Sequence, residues 1–276
     1  MKTFENIVLN NGVKMPQIGL GVFKNPDGES TYNAVKWALA TGYRMIDTAA
    51  IYKNEVSVGK AINDSSLKRE EIFVTTKVWN EEIRQKNTLN AIDTSLKKLN
   101  LAYADLILLH WCVDNYLQAY KDLEKAYEAN KVKAIGLSNF TIQQIEEVNK
   151  IAKIKPAMNQ IESHPYFRNQ ELIDYCLKND IAVTVWRPLG GGTINNVMED
   201  AVIVKLAEKY HKTPAQIIIR WHLQRGVIVI PKSQHQNRIK ANFDVFDFEL
   251  SPADFEAINA LDKNERTGSD PEHVTF

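Results

Sequence analysis

The amino-acid sequence predicts an α/β fold, specifically a closed (β/α)8 barrel preceded by a β-hairpin. Strand-like and helix-like segments alternate along nearly the whole chain, which indicates βαβ units around a parallel sheet. Eight strand segments follow the hairpin, and several are apolar on both faces, as parallel strands buried on two sides must be. Such barrels commonly need about 250 residues, so the 276 residues predict a single barrel domain spanning residues 1–276.

Turn residues predict the hairpin and the first barrel strand. Residues 7–9 and 13–15 flank an Asn-Asn-Gly turn at 10–12, and the Asn-Gly pair supplies the positive φ angles that a tight hairpin needs. Pro16 ends the hairpin. Residues 17–22 form the first predicted barrel strand, and their glycines allow the backbone to approach another group closely.

The remaining elements alternate in order. The other seven strands are predicted at 43–47, 72–77, 106–110, 133–138, 157–161, 181–186 and 227–231. The helices that follow the first six strands are predicted at 31–40, 55–63, 87–98, 117–129, 142–151 and 170–178. Extra helices follow the last two strands: 201–210 and 214–223 after the seventh, then 237–242 and 252–260 after the eighth.

A doubly wound open sheet is the alternative fold, and the glycine pattern disfavours it. No G-x-G-x-x-G motif opens any predicted helix, as a dinucleotide-binding open sheet requires. The glycine-rich stretch at 190–192 follows the seventh strand and lacks that spacing. The barrel is therefore the predicted architecture.

Composition narrows the classes of function. Lys plus Arg and Asp plus Glu are both 34, so no net field favours nucleic acid or an anionic membrane. Cys112 and Cys176 form no C-x-x-C pair, and no two histidines have H-x-x-x-H spacing, so neither a disulfide framework nor a metal site is expected. Without an apolar run of about 20 residues or an apolar signal core, we expect a soluble cytoplasmic protein. We also expect a monomer.

Polar or aromatic residues stand where the predicted strands end. In a parallel barrel these ends converge on one face, where the chemistry takes place. Leaving such groups buried without partners would cost a few kcal/mol each, so the pattern predicts one functional site. The strand-end residues are Asp47, Lys77, His110, Ser138, Asn139, Gln160, Trp186 and Lys232.

Four residues together predict a proton donor for a carbonyl oxygen: Asp47, Tyr52, Lys77 and His110. Taken singly, Asp47 could cap a helix and Tyr52 could be an ordinary half-buried aromatic. Together, the ammonium of Lys77 is expected to lower the tyrosine pKa from its usual value of about 10. The aspartate would hold the lysine, and the histidine would orient the substrate oxygen. No side chain donates a hydride, so a cofactor must.

The segment after the last strand predicts a phosphate site. Lys232, Ser233 and Arg238 supply two cations and a hydroxyl, which suit a phosphate monoester, at the position where barrels commonly bind phosphate. The alternative is a solvated basic helix start. Trp186 offers a flat face for a ring to stack on. The groups that could hydrogen-bond a carboxamide are Ser138, Asn139 and Gln160.

The motifs that carry these residues resemble those of the aldo-keto reductases. The resemblance runs from residue 19 to residue 251, and within the family it is most similar to the bacterial glyoxal and 2,5-diketogluconate reductase branch. The segments that carry it are DTAAIYKNE (47–55), TTKVWN (75–80), LILLHW (106–111), KAIGLSNF (133–140), MNQIESHP (158–165) and IPKSQHQNRI (230–239).

The resemblance implies a TIM barrel that reduces small aldehydes and ketones with NADPH, such as methylglyoxal-like or keto-sugar substrates. It implies that Asp47, Tyr52, Lys77 and His110 are a catalytic tetrad, with Tyr52 the proton donor. The residues implied at the cofactor are Ser138, Asn139 and Gln160 at the carboxamide, Trp186 stacked on the nicotinamide, Lys232, Ser233 and Arg238 at the 2′-phosphate, and Asn242 at the adenine. The residues implied to line the substrate pocket are Phe23, Trp79 and Trp111.

Three positions depart from the family pattern. Arg187 replaces a serine, Ala241 replaces a glutamate near the adenosine, and Cys112 replaces a proline in the substrate loop. We interpret Arg187 as a clamp on the cofactor pyrophosphate that compensates for the absence of a glutamate at position 241; alternatively it turns to solvent or pairs locally. The segment after Asp262 is short and polar and is expected not to close a deep selective pocket.

Two functions from other classes stay open. The first is an NADPH-binding regulatory module that senses redox state with little turnover, which an intact tetrad disfavours. The second is an aldolase that forms a Schiff base at Lys77, since barrels host that chemistry too. Such a lysine must be neutral to attack, whereas Asp47 would keep it charged.

Overall fold

The computed structural model describes residues 6–192 and 196–276, and its centre is a sheet of eight parallel strands. Two short antiparallel strands precede the sheet, β1 (Asn6–Val8) and β2 (Lys14–Pro16). The eight parallel strands neighbour one another in chain order. They are β3 (Leu20–Gly21), β4 (Met45–Asp47), β5 (Phe73–Val78), β6 (Ala104–Leu109), β7 (Val132–Ser138), β8 (Met158–Glu162), β9 (Ala182–Trp186) and β10 (Ile228–Val229).

The sheet closes between its first and last strands. Ile18 forms a parallel bridge to Val229, and Gly21 forms another to Lys232. The amide of Val229 donates to the Gln17 carbonyl at 3.0 Å. A Cβ at Gly21 would lie 2.8 Å from the Ile230 carbonyl oxygen, so only glycine fits this seam. The predicted closed barrel is therefore confirmed.

Helices cover the outside of the barrel, and every predicted helix is confirmed to within two residues at each end. The short helix α3, which follows β5 directly, was not predicted. The helices are α1 (Glu29–Thr41), α2 (Glu55–Asn63), α3 (Asn80–Arg84), α4 (Thr88–Leu99), α5 (Tyr116–Glu128), α6 (Ile142–Ile151), α7 (Gln170–Lys178), α8 (Ala201–Tyr210), α9 (Pro214–Gln224), α10 (Gln236–Phe243) and α11 (Pro252–Asn259).

The hairpin fills the bottom of the barrel. Leu9 and Met15 belong to the same buried cluster as the barrel residues Met45, Phe73 and Leu106. Alternate strand residues such as Ile46, Val74 and Ile107 belong to a separate cluster with the helices. This alternation divides inward-facing from outward-facing side chains, as the period of two along a strand requires.

The inward-facing positions become polar towards the carboxyl ends of the strands. Asp47 follows Met45 by two residues, and Lys77 follows Phe73 by four. The same step of two leads from Met158 to Gln160. The polar strand ends are thus the top layer of the barrel interior, at the end opposite the hairpin. Within the described ranges, no helix is both long and apolar enough to cross a membrane.

Candidate active site

A buried ion pair lies at the centre of the polar face. The ammonium of Lys77 donates to Asp47 Oδ1 at 2.6 Å and to the Thr48 carbonyl at 2.8 Å. The other oxygen of Asp47 accepts from Gln160 Nε2 at 2.7 Å. Burial disfavours the charge on Lys77, but Asp47 and Tyr52 together raise the pKa of Lys77 above its usual value. The lysine is therefore a fixed cation.

Tyr52 completes this group from the 3-10 turn Ala50–Tyr52, just before α2. Its hydroxyl lies 3.4 Å from Lys77 Nζ, and the ammonium lies 5.0 Å from the centre of its ring. Burial raises the pKa of Tyr52 above 10.0, and although Lys77 acts in the opposite direction, the net change is upward. The expected net lowering is therefore wrong, because desolvation of the phenol outweighs the neighbouring charge. The phenol keeps its proton at neutral pH.

His110 faces the same group from the end of β6. Its ring centre lies 5.7 Å from that of Tyr52, nearly at right angles, and 5.1 Å from that of Trp79. Burial, assisted by the charge of Lys77, holds the pKa of His110 well below 6.5. The Nδ1 atom is buried and has no hydrogen-bond partner within the described residues. The imidazole is therefore neutral.

The amide and hydroxyl residues of β7 and β8 form a second hydrogen-bonded layer. Asn139 donates to the His110 carbonyl at 3.0 Å and to Ser138 Oγ at 3.1 Å. Its own oxygen accepts from Trp186 Nε1 at 2.8 Å. Ser138 and Gln160 lie side by side in the parallel register. Asn139, Ser138 and Gln160 thus connect the indole of Trp186 to the buried ion pair.

Aromatic side chains surround the opening above the ion pair. Phe23 is 47% exposed and lies 5.0 Å, ring centre to ring centre, from Tyr52. Trp79 and Trp111 flank the ring of Phe276, at 5.8 Å and 5.4 Å. The segment after α11 therefore crosses the opening. The segment was expected not to close a deep selective pocket, yet its last aromatic packs against the two predicted pocket tryptophans.

Arg187 fastens the same segment. It donates to the Thr267 carbonyl, and its guanidinium carbon lies 5.8 Å from the centre of the Trp186 ring. Arg187 was interpreted either as a clamp on the cofactor pyrophosphate or as a residue that pairs locally, and in the structure it pairs locally, with Thr267. Cys112 is half-buried, and burial raises the pKa of its thiol to about 12, so it stays protonated.

A cluster of cations stands beyond β10. Partial burial and, to a smaller extent, the charge of Lys24 lower the pKa of Lys232. The Lys24 carbonyl accepts from Gln234 Nε2 at 3.2 Å. Ser233 and Asn242 are buried, and Arg238 is exposed. Ser233 Oγ accepts from the amide of residue 235 at 3.1 Å and so shapes the turn into α10. These cations and the buried hydroxyl, on neighbouring segments, suit an anion such as phosphate.

Comparison with known proteins identifies the family to which the chain belongs. The model of the aldo/keto reductase family matches residues 17–263. The chain belongs to the aldo/keto reductase family. Membership makes it an oxidoreductase and confirms the resemblance read from its motifs.

Individual relatives agree over nearly the full length. A glyoxal reductase from Bacillus subtilis (strain 168) is 47% identical over 273 residues, covering 99% of this chain and 98% of the relative. A 9,11-endoperoxide prostaglandin H2 reductase from Trypanosoma cruzi (strain CL Brener) is 45% identical, covering 97% and 95%. The structure of MGS-M4, an aldo-keto reductase from a Medee basin deep-sea metagenome library, has a TM-score of 0.95 at 46% identity and covers 98% of this chain and 100% of that one.

Sequence reasoning missed three residues at this candidate site. Lys24 follows Phe23, a predicted pocket residue, but a lone lysine carries no signal in sequence, and only the pairing of Gly21 with Lys232 brings its segment to the end of β10. Glu162 is the next inward-facing residue after Gln160, so the period of two could have identified it. Phe276 carried no signal, because its position depends on the path of residues 263–276.

The depressed pKa of His110 predicts a dependence of stability on pH. The unfolded chain binds a proton at His110 below about pH 6.5 and the folded chain does not, so stability is present above that pH and is lost as the pH falls. Replacing His110 with Gln removes this term. Between pH 7.5 and 5.5 the unmodified protein should lose more unfolding free energy than the variant, by on the order of 1 kcal/mol, as measured by urea denaturation. An equal loss in both proteins would contradict the neutral imidazole.

Proposed function

We propose that the protein reduces small aldehydes and ketones to alcohols with NADPH, and that Tyr52 donates the proton. The observation that supports this most strongly is the ammonium of Lys77, which contacts Asp47, the Thr48 carbonyl and the Tyr52 hydroxyl at once. A buried cation beside a neutral phenol stabilises negative charge as it develops on that phenol. That is the requirement for a general acid that protonates a carbonyl oxygen.

The protonation states of Tyr52 and His110 suit two different roles in the reaction. Tyr52 holds its proton at neutral pH, so it can deliver that proton to an oxygen. His110 is neutral, so it can donate one hydrogen bond to the same oxygen without competing as a stronger acid. Asp47 and Gln160 keep Lys77 in place. The residues therefore orient the carbonyl and supply the proton.

The residues around Trp186 fit a nicotinamide cofactor. NADPH would supply the hydride. The half-buried indole of Trp186, its nitrogen fixed by Asn139 at 2.8 Å, provides a flat surface for a ring. The amide groups of Asn139 and Gln160 and the hydroxyl of Ser138 lie in the adjacent layer. We propose that these three residues hold the carboxamide.

The cation cluster fits the other end of NADPH. Lys232 and Arg238 would hold the 2′-phosphate with Ser233, and Asn242 would contact the adenine. Lys24 joins this set, because its charge contributes to the lowered pKa of Lys232 and its carbonyl accepts from Gln234 Nε2 at 3.2 Å, next to Ser233. Two like charges held together repel each other, and a phosphate between them relieves the repulsion.

The substrates proposed are small dicarbonyl compounds and related aldehydes. The name of the Bacillus subtilis relative points to glyoxal, and the aromatic opening around Phe23, Trp79 and Trp111 offers few polar contacts to a sugar. The residues proposed for the site lie at one end of a single barrel, and the proposed chemistry needs no residue from a second copy, so we propose that the protein acts as a monomer.

The other two functions find less support. The pKa of Lys77 is raised, whereas a Schiff-base aldolase needs a neutral amine. A regulatory module needs no intact proton donor, yet Asp47, Tyr52, Lys77 and His110 are all in contact range. Turnover of NADPH with methylglyoxal distinguishes a reductase from both.

Removing the Tyr52 hydroxyl tests the proton donor. Tyr52→Phe should lower kcat for methylglyoxal reduction by roughly 10²- to 10⁴-fold, as loss of general acid catalysis does. Binding of NADPH, followed by tryptophan fluorescence, should stay the same. Tyr120→Phe is the matched control, since it removes another buried hydroxyl, which donates to the Ile154 carbonyl at 2.8 Å far from the site. If Tyr52→Phe turns over like this control, Tyr52 is not the acid.

Removing either cation beyond β10 tests the choice of cofactor. Lys232→Met and Arg238→Met should each weaken NADPH binding by roughly 10- to 100-fold, because a charged hydrogen bond contributes about 1.5–3 kcal/mol. NADH binding should change little, since NADH lacks the 2′-phosphate. Lys240→Met is the control, because Lys240 lies about 200° round α10 from Arg238. Equal losses for NADPH and NADH, measured by fluorescence titration, would contradict the assignment.

A further inference from the structure

Residues 263–276, here called the strap, cross the barrel opening and are fixed at both ends. At the near end, the amides of Lys263 and Glu265 donate to the Tyr166 carbonyl at 3.0 Å and 3.1 Å. At the far end, Phe276 reaches the tryptophans that follow β5 and β6. The strap therefore spans the opening from the end of β8 to the ends of β5 and β6. It lies almost wholly beyond the residues that the family model matches.

Glu162 holds the middle of the strap. One oxygen of this carboxylate accepts from the Thr267 amide at 2.7 Å, the Thr267 hydroxyl at 2.6 Å and the Gly268 amide at 2.9 Å. The side chain is fully buried at the inward-facing end of β8, and His164 Nε2 lies 3.4 Å from the same oxygen. A buried carboxylate needs hydrogen-bond donors. The strap supplies three of them.

The strap also fits tightly against Trp186. A Cβ added at Gly268 would lie 2.3 Å from the indole Cη2 atom and 3.0 Å from the second oxygen of Glu162. No side chain fits there without displacing the strap or the indole. Arg187 donates to the Thr267 carbonyl from the other side. Glu162, Arg187 and Trp186 thus form a clasp on residues 267–268.

Phe276 then forms a wall of the opening. Its ring is parallel to Trp79, with an interplanar angle of 7°, and is edge-on to Trp111 at 87°. Its carbonyl oxygen accepts from Asn80 Nδ2 at 3.0 Å and from Arg84 Nη2 at 2.9 Å. Trp79 in turn contacts the imidazole of His110. Only one ring separates Phe276 from the candidate catalytic group.

We propose that Phe276 determines the size of the carbonyl substrate, and that Glu162 is a positioning residue that holds Phe276 in place through the strap. The inference rests on the proposed reductase function. With the clasp closed, Phe276 occupies the space beside Trp79 and Trp111 that a large substrate would need. Small carbonyls pass beside it. Arg187 serves the clasp rather than the cofactor.

Three substitutions act on different parts of this device. Glu162→Gln removes the charge that receives the three donors. Gly268→Ala forces the strap away from Trp186 without changing any charge. Phe276→Ala removes the wall and leaves the clasp intact, and Phe276→Tyr is its conservative partner. Glu124→Gln is the matched control for Glu162→Gln, because the buried Glu124 also accepts two amides, from residues 153 and 154.

Two measurements test the proposal. Hydrogen exchange of the Thr267 and Gly268 amides reports the clasp without any turnover, and it should speed up in Glu162→Gln and Gly268→Ala but not in Glu124→Gln. The ratio of kcat/KM for 2-naphthaldehyde to that for methylglyoxal should rise about tenfold in Glu162→Gln, Gly268→Ala and Phe276→Ala. It should stay unchanged in Phe276→Tyr and Glu124→Gln.

The outcomes separate this proposal from the proposed function. An unmodified protein that reduces neither aldehyde overturns the reductase function and the substrate-selecting role with it. If the unmodified protein turns over and Phe276→Ala has the same ratio of kcat/KM for the two aldehydes, only the role of Phe276 is overturned. Unchanged exchange of both amides in Glu162→Gln, with the barrel folded, overturns the role of Glu162.

Discussion

The buried ammonium of Lys77 is the constraint on which the rest of the site depends. A cation in the barrel interior must be paired, because transfer of an unpaired charge from water costs far more than a fold can supply. Asp47, the Thr48 carbonyl and the Tyr52 hydroxyl meet that requirement. Each of these groups is therefore fixed in position before any ligand arrives, and a preorganised site is what electrostatic catalysis requires.

The same burial sets the charge on each neighbouring ring. It raises the pKa of Tyr52 and lowers that of His110, so both rings are neutral beside one cation. A neutral phenol next to a fixed ammonium is ready to release a proton only when a charged oxygen forms nearby. Desolvation and the ion pair thus act together, and the barrel interior supplies the low dielectric that both need.

The sequence predicted the barrel because its signal is repeated. Each βα unit has its own apolar strand and amphipathic helix. If one unit were assigned wrongly, the other seven would still predict the barrel. The period of two carries the same pattern to the strand ends, where Met45 leads to Asp47 and Met158 to Gln160. Glu162 was not predicted, although it lies two residues after Gln160 on the same face of β8, because the strand-end pattern places the last functional residue of that strand at Gln160.

Two kinds of feature could not be predicted in this way: pKa shifts that depend on the balance between burial and nearby charge, and contacts that depend on the path of a segment without regular secondary structure. The direction of the Tyr52 pKa depends on how deeply the phenol is buried, which residue identities alone do not give. Arg187 had two plausible partners in sequence, and its contact with Thr267 appears only once the strap is placed. Phe276 lies far along the chain from Trp79 and Trp111, and no periodic pattern connects them.

The pH dependence of kcat for carbonyl reduction by the unmodified protein tests the central claim most directly, since this profile reports the groups that ionise in the substrate complex. If a neutral Tyr52, buried beside Lys77, is the acid, kcat stays level from about pH 6 to about pH 9 and falls only above pH 10.0, the ordinary value for the phenol. A fall in kcat centred at about pH 7–8 would contradict the account, because it would mean that the acid loses its proton there.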